Sequence, residues 1–153
     1  MALSSLNNDR IETTILRNLI FNEDFTRKVI PFLKSLYFSK RDEKILYEQI
    51  DKFVNQYKNL PTKESLLIEL NDRKDINDEE VKNVKELLNF LNPEDVDQKW
   101  LLDTTEKFCK DRAVHNAVLD GIKILDNKDN KRTPEAIPSI LADALSVSFD
   151  NHI

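Results

Sequence analysis

VDQKWLLDTTEKFCKDRAVHNAVLDGIKIL, residues 96–125, runs for thirty residues without a proline and with one helix-weakening glycine, Gly121. A helix of that length would be about 45 Å long, against an average of 11–12 residues for globular helices. Leu101, Phe108, His115 and Ile122 recur every seven residues, with Thr104, Asp111, Val118 and Leu125 at the alternate position. The spacing predicts an apolar seam interrupted by threonine, aspartate and histidine. Such a rod cannot bury both faces against one short partner, so the seam predicts self-association.

The segments on either side are also helical. Beyond Leu125, DNKDNKR (126–132) is an all-polar turn. A short return helix then follows Pro138, with Ile140, Leu141, Ala144 and Leu145 on one side. Upstream, Ile11, Ile15, Leu19 and Ile20 share one helical face. Phe25, Val29, Phe32, Leu33 and Leu36 form a shorter stretch limited by Pro31, and Ile45, Leu46, Ile50, Phe53, Val54 and Tyr57 the clearest amphipathic segment. Thr62 is placed to cap a helix carrying Leu66, Leu67 and Leu70, and Asn77 with Glu80 a capping-box start for Val81, Val84, Leu87, Leu88 and Leu91. The expected fold is all-α: a compact bundle of about five short helices in 1–92, then a long-helix hairpin in 93–153 leading to a linker. No strand pattern and no internal repeat stand out.

Composition narrows the chemistry. One glycine in 153 residues, where average usage gives about eleven, excludes a Walker A loop or a Rossmann turn, which need glycine for positive φ and close approach to phosphate. A single cysteine, Cys109, excludes an internal disulfide and a cysteine-based zinc site, and only His115 and His152 remain as soft ligands. Net charge is −5, with 15 cations against 16 acids in 1–92 and 8 against 12 in 93–153. Neither part has the basic excess of a domain built to grip a phosphate backbone. No secretory leader or membrane span is visible, so the chain reads as intracellular.

Each candidate site has a competing structural role. The acids Asp42, Glu43, Glu48, Glu64, Glu69, Asp78, Glu79 and Glu80 could in principle hold magnesium, but solvated faces and helix N-terminal charges explain them better. Cys109 and His115 lie six residues apart, about 240° around a helix axis, so they do not face one another as a dyad. Lys40, Arg41, Lys44 and Tyr47, beside Tyr37-Phe38, interleave cations and aromatics as a single-strand binder would. A surface turn with its aromatics in the core competes with that reading. Trp100 is expected in the core, with an interface anchor as the alternative.

The order of segments resembles the N-terminal domain of DnaB-type replicative helicases, in particular those of T-even-like bacteriophages. Glu12, Ile15, Leu16 and Leu19 resemble its first helix; Tyr37-Phe38 and Ile45 its aromatic turn and next helix; and Pro61-Thr62 with Leu66 and Leu70 the helix after. Trp100-Leu101, Thr105-Glu106-Lys107, Arg112-Ala113, Asn116-Ala117, Ala136-Ile137-Pro138, Ala144-Leu145-Ser146 and Ser148-Phe149-Asp150 resemble the phage hairpin in the same order. Arg17, where a glycine is common, and Asp42, where a histidine is common, depart from the bacterial pattern and favour the phage branch.

The resemblance implies a non-catalytic collar domain of a hexameric, ATP-driven 5′–3′ DNA helicase in the cytoplasm of the bacterial host. It would pair with its copies through the hairpin and contact primase and a helicase loader. ATP and magnesium would bind a motor domain absent from this sequence, which would also carry most single-stranded DNA contact, so no cofactor is expected here. The expected self-association surface is Leu101, Phe108, His115, Val118, Ile122 and Leu125, with Ile140, Leu141 and Leu145 opposite. The alternatives are the helicase-binding domain of a primase and a helical magnesium-dependent nucleotide hydrolase using Glu64, Glu69, Asp78 and Glu80.

Overall fold

The computed structural model describes residues 2–149, and their secondary structure is helical throughout. The α-helices are α1 (Ala2–Phe21), α2 (Glu23–Val29), α3 (Arg41–Tyr57), α4 (Lys63–Asn71), α5 (Asp78–Phe90), α6 (Gln98–Leu125) and α7 (Ile137–Leu145). Short 3-10 turns occupy Ile30–Phe32, Ser35–Tyr37 and Pro134–Ala136. Among the described residues there is no strand, and no helix is long and apolar enough to cross a membrane. The all-α expectation is borne out, including five short helices before the long one. Asp150 and His152 lie outside the described residues.

Local chemistry places the helix ends. The Thr62 hydroxyl accepts from Ser65 N at 3.0 Å while Ser65 Oγ accepts from Thr62 N at 3.0 Å. Asn77 and Glu80 exchange the same pair of bonds at 2.8 and 3.0 Å. Each pair satisfies two amides that a helix start otherwise leaves unbonded. Asn22 caps α2 by accepting from Phe25 N at 3.2 Å, and Pro31 converts the next turn to 3-10. Helix α3 ends at Lys58, which adopts the left-handed conformation with φ 57°.

The chain divides into two compact units, Met1–Leu102 and Asp103–Ile153. In the first unit α3 packs on α1, α4 and α5. Its core holds Leu16, Leu19, Phe25, Phe38, Ile45, Leu46, Ile50, Leu66, Leu70 and Leu88, all sealed from solvent. At roughly 25 cal/mol per Å2 of apolar area, this burial is the main term opposing chain entropy.

In the second unit, α6 closes in a Schellman-type turn. Lys128 N donates to Lys123 O at 2.9 Å and Asn127 N to Ile124 O at 3.2 Å, with Asn127 at φ 58°. Asp129 then accepts from Lys131 N and Arg132 N and pairs with the Arg132 guanidinium at 2.7 Å. Further on, Glu106 accepts from Phe149 N at 2.7 Å and Ser148 Oγ at 3.2 Å, holding the 148–149 segment to α6.

Gly121 is buried and helical, and a Cβ there would meet Ile137 Cγ2 at 3.7 Å, an ordinary contact. Gly121→Ala is therefore expected to raise stability by about 0.5–1 kcal/mol by removing glycine's extra unfolded-state freedom. Urea denaturation checks this; a loss of stability would mean that the Ile137 side does not accommodate the methyl group.

Candidate functional site

Within the second unit, the side chains most exposed for their hydrophobicity lie on the last turns of α6. Val118 is 47% exposed, Leu119 44%, Ile122 49% and Leu125 63%; Leu145 of α7 is 65% exposed. On a helix advancing 100° per residue, 118, 122 and 125 form one stripe with 119 at its border. The flank beside it is closed, with Ala117 at 5%, Ile124 at 2% and Gly121 against Ile137.

This revises the expected surface. A seven-residue repeat drifts only about 20° per heptad on a straight helix, so Leu101, Phe108, His115 and Ile122 do share a face. Its first half is covered, however: Leu101 is 1% and Phe108 6% exposed. Those two are packing residues of the single chain and drop out of the open surface. His115, Val118, Ile122 and Leu125 remain exposed. Ile137 of the return segment lies against Gly121, on the flank of that stripe. Ile140 and Leu141 are half-buried, and only Leu145 of that group is exposed. Leu119 was missed, since position 119 lies off the heptad and nothing local marks it.

The basic–aromatic stretch is also rearranged by folding. Lys40 and Arg41 are exposed and Lys44 half-buried, but Arg41 Nε sits 2.8 Å from Glu80. Tyr47 is 4% exposed, its ring stacked on Phe38 with centroids 5.4 Å apart and its hydroxyl donating to Leu33 O at 2.9 Å. That ring is committed to the core, so the four residues do not form a stacking platform. Trp100 is displaced the other way: expected in the core, it is 51% exposed at the start of α6. There its amide nitrogen donates to Asp97 Oδ1 at 2.9 Å.

The remaining reactive groups serve structure. Cys109 is fully buried, and burial, with the nearby Glu106 carboxylate, pushes its thiol up to about 12. Glu80 is engaged by Arg41 and by the Asn77 cap, which hold its carboxyl below the usual range. Among the described residues no group of three or more His, Cys, Asp or Glu is arranged to hold a metal ion.

Glu43 overturns an expectation. Read as a solvated acid, it is 1% exposed, as is Glu12. Glu12 accepts from Ser39 N and Ser39 Oγ, both at 2.9 Å, and Glu43 accepts from Lys40 N at 3.2 Å. Burial first, then the hydrogen bond and charge of Glu12, push Glu43 up to about 9. The pair fastens the 39–41 turn between α1 and α3. No apolar or polar periodicity announces it.

The chain is 35% identical, over 147 residues and 91% of its length, to the DnaB-like replicative helicase of Enterobacteria phage T4. It spans 31% of that relative's length. No family model matches the chain. The expected resemblance to the T-even-like branch of DnaB-type replicative helicases is thus borne out.

Proposed function

We propose that this chain is the N-terminal collar domain of a phage replicative DNA helicase, acting in the cytoplasm of the bacterial host. It self-associates, offers a contact to primase and to a helicase loader, and performs no catalysis itself. The observation that carries this reading is the open aliphatic stripe of Val118, Leu119, Ile122 and Leu125, with Leu145 nearby in sequence on α7. Apolar side chains grouped on one face lose free energy when a partner excludes water, and a second copy brings the same stripe. A contact of ~800 Å2 per partner would be ordinary. The relative's helicase description favours this reading over the helicase-binding tail of a primase.

The mechanism is one of local concentration. Copies joined through their collars keep their attached motor domains and bound primase near one another, which turns later contacts into effectively intramolecular ones. ATP and magnesium would act in the motor, because a chain with Gly121 as its only glycine has no loop to cradle phosphates. Single-stranded DNA would be held mainly there as well.

Light scattering over a rising concentration series tests the proposal. The wild-type mass is expected to climb above 17.9 kDa toward a dimer or hexamer. Ile122→Asp combined with Leu125→Asp should hold it at the monomer with helical circular dichroism unchanged, because both side chains are already exposed. A wild-type chain that stays monomeric, or a variant that assembles equally well, rejects the reading.

A further inference from the structure

Helices α2 and α3 both pack on α1, and a cavity of about 300 Å3 is left between α2 and the end of α3. Ile30, Val54 and Leu60 line it with aliphatic carbon, and all three are half-buried. Thr26, also in the wall, is buried and donates its hydroxyl to Leu19 O at 2.9 Å. The volume is at the small end of ligand sites and suits one leucine-sized side chain, which would take further apolar surface out of water. No aromatic ring lines the cavity, so a nucleobase would find nothing to stack on.

The 58–60 side of the cavity is built of donors. Helix α3 stops where Lys58 turns left-handed, its amide still donating to Val54 O at 2.8 Å. Beyond it the Asn59 and Leu60 amides make no hydrogen bond within the described chain. Lys58 is exposed, and among the described residues its ammonium has no carboxylate partner. The other charges lining the cavity are a matched pair, Arg27 and Glu23 at 2.8 Å. Asp51, one turn back on α3, accepts from Asn55 Nδ2 at 2.8 Å. Lys58 is thus the uncompensated charge of the wall. Its surroundings share the sign: residues 23–63 carry nine cations against six acids, in a chain of 23 against 28. A basic excess in a concave region attracts the opposite charge.

From this charge complementarity beside an aliphatic cavity, we infer that the site docks an acidic segment of a partner protein. A leucine of that segment enters between Ile30, Val54 and Leu60, and a neighbouring carboxylate meets the Lys58 ammonium and the Asn59 and Leu60 amides. Bonds from such donors to a carboxylate are charge-assisted and stronger than neutral ones. The site uses the first unit and none of the stripe on α6, so this inference and self-association can fail independently.

The test is a titration of the whole chain, followed by amide NMR, with a capped hexapeptide that sets one leucine among aspartates. It should shift the Ile30, Asn55, Asn59 and Leu60 amides saturably, with Kd below ~1 mM, and bind several-fold more weakly at high salt. Alanine in place of the leucine should weaken binding at least about tenfold, and lysines in place of the aspartates should leave the amides unmoved. Lys58→Glu should weaken binding at least about fivefold with an unchanged melting temperature. Lys82→Glu, which makes the same change in net charge on α5, should not. No saturable shift, equal binding of the alanine or lysine peptide, or equal effects of the two variants would overturn the assignment. So would saturation of the same amides by oligothymidylate at equal or lower concentration, which would make this a nucleic-acid surface.

Discussion

Phe38→Ala is expected to cost about 3–5 kcal/mol of unfolding free energy, the largest loss from any single truncation considered. The ring is fully buried and stacked on Tyr47 at an interplanar angle of 27°. Tyr47 in turn spends its hydroxyl on Leu33 O. Removing the ring therefore leaves a cavity and also frees the residue that pins the 33–38 segment over α3. A domain of this size holds only about 5–15 kcal/mol in total, so much of the population would unfold on mild heating. Urea denaturation followed by circular dichroism reads the loss. A change under about 1 kcal/mol would show that the site collapses around the missing ring.

Glu43→Gln is expected to act in the opposite direction, and only above mildly acidic pH. The Glu43 carboxyl is raised to about 9 in the fold from its ordinary 4.5. The folded state therefore holds a proton that the unfolded chain releases, and the stability linked to that proton is complete below about pH 4.5. It is lost progressively as pH rises toward about 9 and changes no further beyond. Glutamine is neutral throughout, keeps an acceptor for Lys40 N and can donate to Glu12. The variant should match the wild type near pH 4.5 and exceed it by about 2–3 kcal/mol at pH 7. Melting curves across that window check it. Parallel wild-type and variant profiles would show that Glu43 is ionised inside the fold. Glu43→Ala should instead destabilise, because it strands Lys40 N and leaves Glu12 without its neighbour.

Much of the fold was legible because its determinants are local. The helical period, Thr62, Asn77 with Glu80, and Pro31 each act within one turn of chain, and each appears at its expected place. The candidate surface was legible only by half. The heptad correctly grouped Leu101, Phe108 and Ile122 on one face, but a repeat cannot tell a face covered by its own chain from one left open. Tyr47 took the core place that competed with its reading as a stacking ring, and Trp100 left the core it was expected in, for the same reason: an aromatic beside cations looks identical in sequence whether its ring turns inward or out. Glu12 and Glu43 lie in α1 and α3, thirty-one positions apart, so no window of sequence contains their encounter.

What the residues alone determined is the helical class, the order of the helices, and the absence of a phosphate loop; these follow from backbone preferences and from the single glycine, which act position by position. What only the tertiary structure decided is exposure: Val118, Ile122 and Leu125 left open while Phe108 is covered, and a carboxyl pair sealed between α1 and α3. Burial is a property of which segments arrive beside a residue, and that is a sum over the whole chain that no local pattern contains.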